Sequence, residues 1–271
     1  MPSVTRHFAV NTYSYTFDFE AAACIRHLGE QGWPELELMM YPGHLWPGAD
    51  PAGVRRALDE TGMRLVSVNM PNIDLNIGGA TAEMRAYSLG LLERFIDLAG
   101  EIGAPALILG PGKANPLFPA PREVMEGHFF AALDRLGPRA RAAGVRILVE
   151  NMPVAFIPDA EGLMATLERY GDDGIGVIYD VANGHFIGES LAPALRRVAP
   201  RLGMVHASDT GQRVYRHDTV GAGDVPFAEV PPVLAELGFA DLPVLEVISP
   251  QADPDILNSA ERLAAMGWAP S

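Results

Sequence analysis

The stretch 123–150, EVMEGHFFAALDRLGPRARAAGVRILVE, contains one complete helix-to-strand unit of the fold. Its first part carries apolar residues at the spacing of a single helix face, namely Phe129, Ala132, Leu133 and Leu136. Gly144 then provides a normal helix stop. The run VRILVE follows as a short apolar strand that ends on Glu150. The stretch therefore predicts an amphipathic helix, a glycine turn and a buried strand with an acid at its end.

The same unit recurs along the whole chain. The strand-like segments are HFAVNTY, ELELMMY, RLVSVNM, APALILG, VRILVE, IGVIYD, GMVHAS and LPVLEVI. Short apolar strands without polar alternation indicate a parallel sheet covered by helices. Eight such units in 271 residues predict an α/β fold, a single (β/α)8 TIM barrel with one domain over residues 1–271. A doubly wound open sheet is the alternative, but no G-x-G-x-x-G follows the first strand.

Composition narrows the class of protein. The net charge of −14 argues against a nucleic-acid partner, because binding phosphate needs a basic surface. The single cysteine, Cys24, excludes an internal disulfide and fits a reducing compartment. The chain shows neither a signal-peptide pattern nor a run of about 20 apolar residues. We therefore expect a cytoplasmic protein with no membrane and no nucleic-acid partner.

Four of the apolar segments carry a carboxylate or an imidazole at their ends: Glu150, Asp180, His206 and Glu246. In a barrel, the ends of neighbouring strands converge on one mouth, so these side chains should meet. Three carboxylates and one imidazole form an oxygen-rich ligand set for one divalent cation, with Mn²⁺ preferred and Mg²⁺, Co²⁺ or Zn²⁺ as alternatives. Buried acids without a metal or a basic partner would be costly.

The two glutamates of this set suggest a reaction. Glu150 and Glu246 can each bind the cation through one oxygen and leave the other facing a substrate. The cation acts as a Lewis acid for a carbonyl or vicinal diol and stabilises an enediolate. Two carboxylates on opposite faces of a flat enediolate permit epimerisation, whereas one carboxylate suffices for isomerisation. We expect Glu150 and Glu246 to be the catalytic residues.

From VNTYSYTF through LVENMP, YDVANGH, VHASDTG and RHDTVGAGD to LEVISP, the chain resembles the sugar phosphate isomerase/epimerase superfamily of xylose isomerase-like TIM barrels. That group includes tagatose and psicose epimerases, hydroxypyruvate isomerase, inosose dehydratases and isomerases, and an AP endonuclease. The resemblance places the family metal ligands on Glu150, Asp180, His206 and Glu246, and the paired glutamates on Glu150 and Glu246. It implies a small carbohydrate-like substrate, a role in carbohydrate metabolism, and a homodimer or homotetramer.

The chain also departs from some members of this group. Where the AP endonuclease has H-P-G, the sequence reads Gly110-Pro111-Gly112, and its D-R-H triplet reads Tyr215-Arg216-His217. The histidine expected three residues after the sixth-strand aspartate is Asn183. These changes argue against DNA repair and for a single metal. Phe156 stands where tagatose epimerases carry a further glutamate, which suggests a more apolar pocket wall.

Five residues are candidates for substrate contact: Asn183, His185, Arg216, His217 and Lys113. The family's R-H pair faces the substrate, and a guanidinium there would anchor a carboxylate, a phosphate or a polyol. The Asn183 amide can hydrogen-bond a hydroxyl but cannot transfer a proton at neutral pH. His185 either supplies the missing imidazole or is a structural histidine at a helix start. Lys113, in GPGKANP, has a weaker claim, and Asp209 is expected to orient a metal ligand.

Three functions remain open from the sequence. The first is a metal-dependent isomerase or epimerase of a ketose, an inosose or a keto acid. The second uses the same site as a lyase, in which the enediolate expels a β-hydroxyl and an inosose or a dehydroshikimate-like substrate is dehydrated. The third is a non-catalytic sugar-binding barrel, against which the intact glutamates argue.

Overall fold

Eight parallel strands close into a barrel in the computed structural model of the chain, which describes residues 4–269. The strands are β1 (Ala9–Asn11), β2 (Glu35–Met39), β3 (Arg64–Asn69), β4 (Ala106–Leu109), β5 (Arg146–Glu150), β6 (Gly176–Asp180), β7 (Leu202–Ala207) and β8 (Val244–Leu245). Strands pair in chain order, and β8 pairs with β1. This closure confirms the (β/α)8 prediction and excludes the open sheet.

Helices follow the strands and cover the outside of the barrel. They are α1 (Ala21–Glu30), α2 (Pro51–Thr61), α3 (Ala82–Ile102), α4 (Arg122–Ala142), α5 (Ala160–Tyr170), α6 (Val181–Phe186), α7 (Leu191–Val198), α8 (Val230–Glu236) and α9 (Ala252–Ala265). The N-caps Asp50, Thr81 and Asp159 accept hydrogen bonds from backbone N–H groups of α2, α3 and α5. No helix within residues 4–269 is long and apolar enough to cross a membrane.

The apolar face predicted for α4 packs into the core as expected. Phe129, Ala132, Leu133 and Leu136 of α4 are fully buried in the layer between helices and strands. After α4, Gly144 adopts a left-handed conformation with φ of 72°, which lets the chain turn into β5. The stretch 123–150 therefore forms the predicted helix, turn and strand.

The barrel interior is polar at the carboxyl ends of the strands and apolar below that mouth. Its apolar part consists of Ala9, Ala106, Ile108, Leu148, Ile178, Met204 and Val244. Side chains alternate between the two faces of a strand, so the residue two positions later also points inward. That residue is Glu150 after Leu148 and Asp180 after Ile178. Because side chains alternate with a period of two residues, these polar side chains point into the barrel at its mouth, at the carboxyl ends of the strands.

The first and last strands are shorter than their apolar segments. β1 ends at Asn11, and a 3₁₀ helix, Tyr13–Tyr15, begins at the last residue of HFAVNTY. β8 has two residues, so Glu246 lies immediately after it. Its backbone N–H donates to the carbonyl of Ala207 at 3.1 Å. Glu246 therefore keeps its inward position although the strand has ended.

Candidate active site

Glu150, Asp180, His206 and Glu246 converge at the mouth of the barrel. Each offers one ligand atom, and these atoms all lie within 4.8 Å of one another. All four residues are buried, with Asp180 and His206 fully enclosed. It is the one group of this kind among residues 4–269. The structure thus brings together the four residues that the sequence predicted to meet, while their role as ligands stays a prediction.

The His206 ring has acids beside both of its nitrogen atoms. Its Nδ1 lies 3.1 Å from Oε2 of Glu246 and 3.8 Å from Oδ2 of Asp180, so this atom faces the cluster. Its Nε2 lies 3.0 Å from Oε1 of Glu37, a fully buried glutamate on β2. Burial lowers the pKa of His206, but attraction from Glu37 and Glu246 outweighs it and raises that pKa well above 6.5.

Glu37 is itself held from three sides. Asn11 donates to it at 2.6 Å, Ser67 at 2.5 Å and Asn69 at 3.3 Å. Burial would raise the pKa of Glu37, but His206 and these hydrogen bonds lower it overall, so the carboxylate stays charged. Sequence reasoning missed this residue. The available signal was an acid at an inward position of the strand ELELM.

The carboxyl groups of the cluster are crowded together in a buried site. Burial raises the pKa of Glu150 well above 4.5, and the nearby charge of Glu246 raises it further. Burial also raises the pKa of Asp180 to about 6. The Oδ2 atom of Asp180 is buried without a hydrogen-bond partner. An unpartnered carboxylate oxygen, three acids and one imidazole nitrogen together fit a divalent cation.

A cleft of about 150 Å³ opens above the cluster. Its lining consists of Tyr13, Met39, Asn69, Met70, Pro71, Asn72, Ile73, Glu150, Met152, Tyr215, His217, Glu246 and Ile248. Glu150 and Glu246 belong to this lining, whereas Asp180 and His206 lie beneath it. The two glutamates therefore reach both the cluster and the space that a small substrate would enter.

Two of the predicted substrate contacts lie at this cleft. His217 lines it, with Nδ1 at 2.9 Å from the Ser208 hydroxyl and Nε2 at 2.8 Å from the Tyr215 hydroxyl. Asn183 lies just behind, where its amide donates to Glu150 at 3.2 Å and accepts from Tyr215 at 2.6 Å. Burial lowers the pKa of His217, which favours the neutral ring. Tyr215, which the sequence reasoning did not select, connects both residues.

The other three candidates are not among the residues that line the cleft. His185 pairs with Asp224 at 2.7 Å, and the exposed Arg216 lies 3.9 Å from Asp218. Lys113 donates to the backbone carbonyl of Ile73. Their part in substrate binding stays a prediction.

Asp209 and Phe156 make their contacts outside the cluster and the cleft lining, and their expected roles stay predictions. Asp209 accepts hydrogen bonds from the backbone N–H groups of Gly221 at 2.6 Å and Val225 at 3.2 Å, so it fixes the loop before α8. Phe156 packs its ring against Phe129, with ring centroids 6.1 Å apart. The apolar wall of the cleft comes from other residues, chiefly the three methionines Met39, Met70 and Met152.

A family model described as the xylose isomerase-like TIM barrel matches residues 27–266. The chain belongs to this family. Among curated relatives, the uncharacterized protein MJ1311 of Methanocaldococcus jannaschii is 23% identical over 181 residues, 64% of this chain. The chain spans 61% of the length of that relative. A probable endonuclease 4 of Mycobacterium ulcerans is 26% identical over 183 residues, covering 63% of this chain and 68% of the relative.

Solved structures share the fold at low sequence identity. A D-tagatose 3-epimerase-like protein superposes with a TM-score of 0.83 at 19% identity, with 96% of each chain covered. The 3-keto-D-glucoside 4-epimerase YcjR from E. coli has a TM-score of 0.81 at 17% identity, covering 96% of this chain and 99% of that one. An L-ribulose 3-epimerase has a TM-score of 0.79 at 19% identity, covering 96% of this chain and 92% of that one. At these identities the similarity shows the fold.

Proposed function

We propose that the chain is a divalent-metal-dependent isomerase or epimerase of a small polyhydroxy carbonyl compound, such as a ketose, an inosose or a keto acid. The observation that carries the proposal is the placement of Glu150 and Glu246, which belong both to the buried cluster and to the lining of the cleft. Sugar epimerases among the structural neighbours support the same reaction class.

The proposed ligands are Glu150, Asp180, His206 and Glu246, and Mn²⁺ is the proposed ion because oxygen donors dominate the set. A bound divalent cation supplies Lewis-acid stabilisation of negative charge on a substrate oxygen. Glu37 holds the far side of the His206 ring, which keeps Nδ1 directed at the cluster. This support fixes the imidazole in one orientation before a substrate arrives.

Proton transfer is assigned to the two glutamates. Asn183 donates to Oε1 of Glu150, and Asn11 and Asn69 each donate to Oε1 of Glu246 at 3.2 Å. These bonds fix the rotation of both carboxylates. They leave Oε2 of Glu150 for other partners, while Oε2 of Glu246 lies 3.1 Å from Nδ1 of His206. One glutamate removes the proton beside the carbonyl, and the same or the opposite glutamate returns it.

A lyase is the second candidate, and the Tyr215–His217 pair is the observation that favours it. The Tyr215 hydroxyl lies 2.8 Å from Nε2 of His217, and both side chains line the cleft. A hydroxyl paired with an imidazole can protonate a departing β-hydroxyl group, which dehydration requires. Both reactions begin with the same proton removal, so their products distinguish them.

The test is an NMR assay of products in D₂O with Mn²⁺-loaded protein and a panel of ketoses, inososes and keto acids. We expect an epimer or isomer with deuterium beside the carbonyl, and loss of that product in Glu150→Gln and Glu246→Gln. Glu35→Gln is the matched control, because Glu35 begins β2 at the opposite end of the barrel and pairs with Arg64. A dehydrated product would favour the lyase, and binding without any product would favour the sugar-binding barrel.

A further inference from the structure

Most polar side chains of the cleft are already hydrogen-bonded within the protein. Asn69 donates to Glu246 at 3.2 Å and accepts from the backbone N–H of Met70 at 2.7 Å. Asn72 accepts from the backbone N–H of Gly110 at 3.1 Å. His217 and Tyr215 bond to each other at 2.8 Å. Beyond the two glutamates, few groups in this lining remain free to recognise several substrate hydroxyls.

Apart from the Tyr13 side chain, the rest of the cleft is apolar. Met39, Met70, Pro71, Ile73, Met152 and Ile248 provide this part of the wall. Ile73 and Ile248 lie in the loops after β3 and β8, with 52% and 39% of their surface exposed. They extend the apolar wall from the cleft to solvent. Methionine side chains adapt to irregular apolar partners, which suits a ligand-facing surface.

The apolar character continues on the same face of the barrel. Leu117 and Phe118, in the loop after β4, are 93% and 87% exposed. Val154 and Val214, in the loops after β5 and β7, are 44% and 58% exposed. Loops that follow strands all lie at the carboxyl-terminal face of a barrel. These apolar side chains therefore lie on the same face of the barrel as the cleft.

We infer that the substrate joins an α-hydroxy carbonyl head, held at Glu150 and Glu246, to an apolar substituent that lies along Met152, Ile73 and Ile248. This inference rests on the proposed function for the head, and beyond the head it replaces the further hydroxyls of a ketose or an inosose by an apolar tail. A tail rich in hydroxyls would give up hydrogen bonds to water against a wall that does not replace them. An apolar tail loses no hydrogen bonds to water when it enters the cleft. It gains from burial, because each buried methylene strengthens binding about fourfold.

The experiment compares two ketones that share the same HOCH₂–CO– head. L-erythrulose carries a hydroxylated tail, and 1-hydroxy-4-phenyl-2-butanone carries an apolar one. Their affinities for the Mn²⁺-loaded protein are measured by calorimetry, and deuterium exchange beside the carbonyl is followed separately by NMR. We expect the phenyl compound to bind at least about tenfold more tightly.

Ile73→Ser and Ile248→Ser should each reduce that preference by about fivefold, because they remove apolar surface from the wall. Val124→Ser is the matched control, since Val124 is similarly exposed, at 44%, but lies on α4. It should leave the preference unchanged.

Equal affinities, or tighter binding of L-erythrulose, would overturn the inference even if deuterium exchange is present. A preference for the phenyl compound that persists in both isoleucine variants would also overturn it. If the preference follows the isoleucines but no exchange occurs, the tail assignment stands and the proposed reaction fails. Binding of neither ketone would overturn the inference together with the head on which it rests.

Discussion

Replacing Asp180 by asparagine should stabilise the metal-free protein at neutral pH. The Oδ2 atom of Asp180 is buried without a hydrogen-bond partner, whereas Oδ1 accepts the backbone N–H of Asn183 at 2.7 Å and caps α6. Asparagine keeps an acceptor for this cap and is an equally good capping residue. The substitution therefore removes a buried charge and preserves the local structure.

The magnitude follows from the pKa of Asp180. Burial raises this pKa from 3.8 to about 6, while His217 opposes the shift and Glu246 reinforces it. A pKa that is higher in the folded state means that the folded protein binds the proton more tightly, so stability falls as the pH rises from 3.8 to about 6. A shift of about two units corresponds to about 3 kcal/mol. The asparagine variant does not suffer this loss.

Urea unfolding in the presence of EDTA measures the difference in the free energy of unfolding between variant and parent, and thermal unfolding measures the difference in Tm. At neutral pH we expect the variant to be more stable than the parent by about 3 kcal/mol, or about 6–12 °C in Tm. The advantage should shrink as the pH falls towards 4, because both proteins are then uncharged at this position. Added Mn²⁺ should stabilise the parent much more than the variant. A metal-free variant no more stable than the parent, or equal stabilisation of both by Mn²⁺, would refute the reasoning.

Two other substitutions probe the support around the site. Glu37→Gln should weaken Mn²⁺ binding by about 10- to 100-fold in calorimetry, because it removes the charge that faces Nε2 of His206; unchanged affinity would exclude this role for Glu37. Asp209→Ala should lower the free energy of unfolding by about 3 kcal/mol in urea, because it leaves the backbone N–H groups of Gly221 and Val225 without their acceptor. Its Mn²⁺ stoichiometry should not change, and a lost ion would instead make Asp209 part of the metal site.

The fold and the four clustered residues could be predicted because both follow from local periodicity. The helical stripe of α4 and the apolar run before Glu150 each specify their own element, and the two-residue period of a strand specifies which face Glu150 occupies. Eight repeats of one unit leave few arrangements of a parallel sheet. Barrel closure then brings Glu150 and Glu246 together although they are distant in sequence.

The surroundings of the cluster could not be predicted in the same way. Glu37 supports His206 only through barrel closure, and the strand ELELM gives no sign of which of its acids has a buried partner. His185 and Arg216 lie on a short helix and a loop, where the direction of a side chain depends on tertiary contacts such as the pairing of His185 with Asp224. The identity of the cleft wall likewise depends on how several loops fold over the barrel mouth.

Deuterium exchange titrated against bound Mn²⁺ tests most directly whether Glu150 and Glu246 move a substrate proton at a metal site. The exchange rate should rise with added Mn²⁺, reach its limit at one ion per chain and disappear after chelation with EDTA. It should also be lost in Glu150→Gln under conditions where electron paramagnetic resonance shows the ion still bound. Exchange that persists without metal, or that is undiminished in both glutamine variants, would contradict the account.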